Sequence, residues 1–275
     1  MEQQGAVELR ERPEATASGS GLLAGKRILV TGVLTDRSLA YHAAVRMQEL
    51  GAEVILTGFG RAKRLTERST NTMPRRAEVL ELDVQSDEHF ERLASDLDER
   101  WGGVDGALHS VAFAPPELFK QEFLEADLES VETAARISAY SLQPMARALL
   151  PLMQRNEGGG SIAALTVEQR VRSHPYAWMG VVKNLLNAVA RQLAVELAPH
   201  GVRVNLMASG PVRTNAGSVI PEFDEMERTY ERAPLGWDVR NHAAIAGAAC
   251  FLMSDLSEGM TGDVLHVDGG MHILI

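Results

Sequence analysis

A tyrosine and a lysine stand seven residues apart, Tyr176 and Lys183, in a segment whose apolar residues recur with helical spacing. Seven residues make two helical turns, so both side chains fall on one face and can reach one ligand. A phenol with its ordinary pKa of about 10 is a weak acid, and a neighbouring ammonium favours the phenolate and makes the proton easier to give. The same ammonium can hold ribose hydroxyls. Such a spacing also arises by chance. Its weight comes from its place, at the start of the helical pattern that follows the fifth of seven strand-like runs.

A second set of residues closes other apolar runs. In TGVLTDRSLA (31–40), Gly32 allows a tight turn, and Ser38 and Leu39 open a helix whose N-terminus favours a pyrophosphate. Only one glycine of a G-x-G-x-x-G pattern is present, so this segment alone is a weak dinucleotide signal. Asp83 and Val84 close the third run, where a carboxylate can accept the adenine amino group or equally cap the next helix. Ser110, Val111 and Ala112 close the fourth, and small residues there let the backbone approach a ribose. Gly210, Pro211 and Val212 follow the sixth, where an exposed amide can hold a nicotinamide carboxamide.

These positions need a scaffold. RILVT (27–31) is the short apolar run of a parallel strand buried on both faces, and EVILTG (53–58), EVLELD (78–83), VDGALHSVAF (104–113), GGSIAALTV (159–167), VRVNLMA (202–208) and DVLHV (263–267) repeat it. Helical patterns fall between them at 38–50, 62–71, 86–101, 128–153, 176–198 and 241–253. Pro144 and Pro151 are expected to kink or divide the long pattern at 128–153. The alternation predicts an α/β fold: a Rossmann-like, doubly wound parallel sheet of seven strands with helices on both faces. Such a sheet binds ligands beyond the carboxyl ends of its strands. No composition shift divides residues 21–275, so one domain is expected. The polar residues 1–20 read as a disordered tail, neither signal peptide nor anchor.

The chain of 275 residues is 45% hydrophobic and 23% charged, enough for one large core. Its 37 acidic and 27 basic residues give a net charge of −10, which argues against nonspecific nucleic-acid binding. No apolar run approaches the roughly 18 residues that a bilayer span needs, so a cytoplasmic protein with no membrane partner is expected. A single cysteine, Cys250, excludes an intrachain disulfide and a cysteine-based zinc cluster. Its apolar neighbours predict a buried core thiol, and no metal site is expected.

Together these residues resemble the short-chain dehydrogenase/reductase superfamily and, within it, the bacterial enoyl-acyl-carrier-protein reductases, over about residues 21–274. The motifs match in order: Gly32, Ser38 and Ala40 of a G-x5-S-x-A turn, LTGF (56–59), LELDVQ (80–85), HSVAF (109–113), ISAYS (137–141), SGPVRT (209–214), TGDVLHVDGG (261–270), and a Tyr-x6-Lys pair at Tyr176 and Lys183. The resemblance implies an oxidoreductase that delivers hydride from NADH to the β-carbon of a trans-2-enoyl thioester, giving an enolate that is then protonated. In that scheme Tyr176 donates a hydrogen bond to the thioester carbonyl and Lys183 binds the nicotinamide ribose. Phe59 follows the second strand as in NADH-using relatives, and Thr214 joins the cofactor set. NADPH is the lesser expectation, although Arg61, Lys63 and Arg64 stand near enough to meet a 2′-phosphate. The substrate is implied to lie among Phe113, Thr166, Val167, Glu168, Met179, Ala216, Val219, Ile220 and Phe223. Relatives are usually homotetramers, and the helical patterns at 128–153 and 176–198 carry more apolar surface than one sheet face covers. A homotetramer is therefore expected, with ordinary burial of these helices as the alternative.

Three departures from the family pattern bear on the substrate. Thr166 and Val167 occupy positions where the family carries Tyr or Phe, and Ala163 stands where carbonyl-reducing relatives have Ser. Thr166 can donate a hydrogen bond instead, and Glu168 is an unusual acid close by, if it is not simply a solvated loop charge. In VIPEFDEMER (219–228), a segment that covers the substrate channel in the family, Glu222, Asp224, Glu225 and Glu227 would repel an acidic carrier protein. Arg213, Arg228 and Arg232 offer compensation. Finally, Ala112 replaces a glycine common beside the nicotinamide. Two functions stay open: an enoyl-thioester reductase of fatty-acid synthesis, acting on acyl carrier protein or CoA, and a homologue recruited to another substrate in specialised metabolism.

Overall fold

The computed structural model describes residues 21–119, 121–168, 177–217 and 220–274. Seven strands, β1 (Arg27–Val30), β2 (Glu53–Gly58), β3 (Glu78–Glu81), β4 (Gly106–His109), β5 (Gly160–Thr166), β6 (Val202–Ser209) and β7 (Val264–Val267), form one sheet in the order β3-β2-β1-β4-β5-β6-β7. Every pairing is parallel. The expected doubly wound sheet is the one observed. Strand order runs outward in one direction from β1 and in the other from β4, so the crevice for a ligand opens between their carboxyl ends.

Period-two alternation sends neighbouring residues to opposite faces. Leu29, Ala107 and Ile162 face a core shared with α3 (Asp87–Trp101), α5 (Leu142–Met153) and α6 (Trp178–Leu197). Ile28, Val30, Leu108 and Ala163 face the other core, closed by α1 (Leu39–Glu49) and α8 (Ala243–Met253). Cys250 is buried in this second core, and burial pushes its thiol up to about 12, as a core thiol requires. The basic α2 (Gly60–Ser69) follows β2.

The long helical pattern is divided, but not by its prolines. α4 (Leu128–Ala135) runs into a π-helical turn at Arg136–Tyr140, and α5 begins after it. Pro144 lies in the first turn of α5, where its missing N–H is not needed, and Pro151 in the last. The short α7 (Phe223–Tyr230) stands between β6 and α8. Among the described residues no helix is long and apolar enough to cross a membrane.

Candidate functional site

A cavity of about 1400 Å³ opens beyond the carboxyl ends of the strands. It exceeds the range of roughly 300–1,000 Å³ usual for one small ligand, so it has room for two. Gly32, Ser38, Leu39, Phe59, Asp83, Val84, Ser110, Val111, Ala112, Lys183, Gly210, Pro211, Val212 and Thr214 all line it. So do Phe113, Thr166, Val167, Glu168, Met179, Ala216, Ile220 and Phe223. Tyr176 and Val219 lie outside the described residues.

The groove at β1 and β4 is made by backbone. Thr31 Oγ1 donates to the Leu108 carbonyl and accepts from the Ser110 N–H, both at 3.1 Å, which pins the two strand ends together. Gly32 then turns at φ +81°, and a Cβ there would run into the carbonyl oxygen of Ser110. Only glycine allows this approach. Ser38 precedes α1, and its Oγ accepts from the N–H groups of Leu34 and Thr35, at 3.0 and 3.2 Å, folding the loop back over the helix start. The amides of Leu39 and Ala40, which start α1, have no partner among the described residues and no acid sits in the helix's first turn, so the helix end suits an anion.

At the far end, Phe59 meets His89 edge-on, with ring centroids 5.8 Å apart. Asp83 does not cap α3. Ser86 does, accepting from the His89 N–H at 3.3 Å, while Asp83 Oδ1 accepts from Gln85 N–H at 3.0 Å. The carboxylate thus remains at the cavity wall. At the other end Gly210 makes room for the indole of Trp237, whose Nε1 donates to the Pro211 carbonyl at 2.7 Å. Asn215 joins the two lips of the groove: it donates to Thr35 Oγ1 at 2.8 Å and accepts from Arg37. Its contribution is invisible in sequence, because Arg37 lies 178 residues away.

Lys183 is only 7% exposed. Its Nζ donates to the carbonyl of Leu165 at 2.8 Å, which fixes the ammonium at the cavity wall. Burial brings its pKa down to about 8. Ser138, from the π-turn, accepts from the Phe113 N–H and donates to the Phe113 carbonyl, both at 2.9 Å, and so clips the loop after β4 in place. The motif ISAYS carries this signal, but the partner is not readable from the motif itself.

The substrate side departs from expectation in two details. Thr166 is buried, and its hydroxyl donates to Asn187 Oδ1 on α6 at 2.7 Å, so its proton is already committed. Glu168 is not a solvated charge: it is 8% exposed, with a carboxylate oxygen 2.7 Å from His266 Nε2, although off the ring's hydrogen-bonding direction. His266 stacks on His272 with centroids 4.1 Å apart, and His272 Nδ1 lies 2.9 Å from Asp268. Over the cavity mouth, Arg213 binds both Asp224 and Glu227 of α7 and lies 5.1 Å from the Phe223 ring centroid. Asp224 and Glu227 are thus paired from below.

Comparison with known proteins agrees with this geometry. The family model described as enoyl-(acyl carrier protein) reductase matches residues 32–272. An enoyl-(acyl carrier protein) reductase (NADH) of Mycolicibacterium smegmatis is 41% identical over 266 residues, covering 91% of this chain and 97% of the relative. Its counterpart in Mycobacterium avium is 40% identical over 265 residues, with the same 91% and 97% coverage. That of Haemophilus influenzae is 35% identical over 259 residues, covering 92% and 96%. The chain belongs to the enoyl-(acyl carrier protein) reductase family.

Proposed function

We propose that this protein reduces the 2,3 double bond of an enoyl thioester with NADH, the dinucleotide in the names of the relatives above. The single observation that carries this reading is the buried Lys183, anchored to Leu165 in the same cavity whose opposite wall brings Gly32 against Ser110. The residues fit a dinucleotide. A cradle that a Cβ would fill, a helix start without acids and an amide at Val212 with no partner among the described residues suit a ribose, a pyrophosphate and a carboxamide in turn.

When bound, NADH supplies hydride to the β-carbon of the enoyl thioester. The residues of the chain then have three tasks. Tyr176 donates its hydroxyl hydrogen bond to the thioester oxygen as negative charge builds there. Lys183 donates to the ribose hydroxyls, and its charge makes the nearby phenol a better donor. Phe113, Met179, Ile220 and Phe223 give the acyl chain an apolar wall and keep water out.

The exposed apolar residues Leu128, Val181, Leu185 and Val195 on α4 and α6 support assembly into a homo-oligomer, which we take to be a tetramer. Residues 21–275 then act as one domain, and the enzyme works in the cytoplasm.

One observation favours a second reading. Val167 stands where the family has an aromatic residue, and Glu168 brings a buried carboxylate to the cavity. A substrate other than a simple enoyl thioester would account for both. The discriminating experiment mixes pure protein with NADH and crotonyl-CoA and follows nicotinamide absorbance. Oxidation of NADH is expected, and Tyr176→Phe should cut turnover by about 100-fold while NADH affinity stays within about twofold. Intact NADH binding without oxidation would favour the second reading, and equal loss of turnover and affinity in the variant would remove Tyr176 from its role.

A further inference from the structure

Under the cavity, on the α6 side of the sheet, lies a hydrogen-bonded chain that the proposed reaction does not use. His109 is the last residue of β4, and by alternation it points to the same face as Ala107, the face covered by α5 and α6. Its Nε2 is 2.8 Å from Ser141 Oγ, and Ser141 Oγ donates to the carbonyl of Ile137 at 2.7 Å. The serine has one proton, and the Ile137 carbonyl takes it. Ser141 therefore accepts from His109, which puts the ring's proton on Nε2 and leaves a lone pair on Nδ1. That nitrogen is buried and has no partner among the described residues. A buried acceptor left unpaired is rare in folded proteins and usually marks a water or donor nearby.

The fold brings the donor close. β4 pairs with β5 so that His109 is opposite Ala164, and the next residue, Leu165, holds the ammonium of Lys183. Ser141 belongs to the segment between α4 and α5 that packs on α6, the helix carrying Lys183. The basicity of His109 is pushed down to about 3, first by burial and then by the charge of Lys183, so the ring stays neutral and the two groups feel each other. An ammonium has three protons. Leu165 takes one, which leaves two for other acceptors.

We propose that His109 is a positioning residue, its Nδ1 accepting from Lys183 through one buried water, so that Ile137, Ser141 and His109 aim the ammonium from inside the fold. This rests on the role proposed above for Lys183. No proton is transferred along the chain. Its work is to hold the ammonium and to oppose the loss of its charge in a buried place. The other charged groups lining this end of the cavity are Glu168, which His266 engages, and Glu222 and Glu225 at its mouth.

Two amides separate the two ring nitrogens. In His109→Asn the amide oxygen can stand near the place of Nδ1 and accept. In His109→Gln the amide can reach Ser141 but leaves no acceptor near Nδ1. NADH dissociation constants measured by fluorescence from about pH 6.5 to 9.5 should show the same alkaline weakening in the parent and in His109→Asn, and weakening that starts about one pH unit lower in His109→Gln. Equal pH profiles for both variants and the parent would overturn the proposal. A high-resolution crystal structure of the parent enzyme needs no variant to fold: a water bonded to both Nδ1 and Nζ is expected, and a dry Nδ1 facing apolar atoms would refute it. Should Lys183→Ala leave NADH affinity unchanged while that water is present, the role of Lys183 fails and the water-bridged anchor stands.

Discussion

Along the ends of β1, β4 and β6 the cavity is lined by backbone, glycines and short side chains tied across the sheet by hydrogen bonds. Across α6, α7 and the segment after β5 it is lined by longer side chains, some of them charged, and pairs such as Arg213 with Asp224 and His266 beside Glu168 stand behind that wall. The first region tolerates almost no change in backbone path, because its contacts are made by atoms every residue has. The second can be altered one side chain at a time. A dinucleotide is the same molecule for every relative that uses it, whereas acyl groups differ, and the two kinds of wall suit those two needs.

The contrast is tested most severely at Gly32. Alanine there meets both a positive φ and the carbonyl of Ser110, so the strand ends must separate. Strain of this kind costs about 1–3 kcal/mol before any ligand contact is lost. Gly32→Ala should weaken NADH by about 100-fold in a calorimetric titration, since each 1.4 kcal/mol is a factor of ten. A loss under threefold would mean that the backbone path does not govern this half of the cavity.

The next effect tests where the two regions meet. Lys183 loses its proton early because it is buried, with a value near 8 in the free protein. Ribose oxygens favour the charged form, so binding raises that value, and by linkage NADH affinity must fall as pH climbs from about 8 toward the bound value. Below about pH 7 the affinity should be flat with respect to this group. A titration from pH 6.5 to 9.5 checks the sign, and affinity that rises with pH would exclude an ammonium contact.

Much of the first region is legible in the sequence, because a backbone requirement leaves small residues at fixed places: Gly32, Ser110 and Gly210 each end a strand-like run. The sheet itself follows from seven apolar runs of the right length. What escapes is whatever depends on a partner far along the chain. His109 reads as part of a motif, yet its tautomer is set by Ser141, 32 residues later. Thr166 reads as a free donor until Asn187 is seen beside it. Glu168 reads as a loop charge until His266, on a strand two places away in the sheet, comes next to it. The division of the helix at Arg136–Tyr140 has the same origin: two prolines suggest where to cut, but Pro144 falls in the first turn of α5 and Pro151 inside its last, and the π-turn instead presents Ser138 to the loop at Phe113.

Asn215 gives a smaller test on the rim of the backbone-built region. Its two bonds to Thr35 and Arg37 close the groove over the loop after β1. Each is worth about 0.5–1.5 kcal/mol net. Asn215→Ala should therefore speed NADH release by about three- to tenfold in a stopped-flow displacement, with a smaller change in the association rate. Unchanged release would show that the two lips are held by other contacts.

The smallest effect belongs to the side-chain-built region. Arg213 gathers Asp224 and Glu227 against the base of α7, and the carboxyl of Asp224 is well exposed. Exposed pairs contribute little each, because water screens them and long side chains must be held still. The arginine also stacks on Phe223, which lines the cavity, so its removal loosens the helix above the substrate and uncovers two more negative charges. Both consequences fall on the acyl side, because the side chain of Arg213 engages residues of α7. Arg213→Ala should raise the apparent KM for crotonyl-CoA by about two- to threefold, more at low salt than at high, because the uncovered carboxylates repel its phosphates. The NADH dissociation constant should stay the same. An equal change in both constants would join the two regions into one mechanical unit, and the division between a backbone-made groove and a side-chain-made channel would then have to be given up.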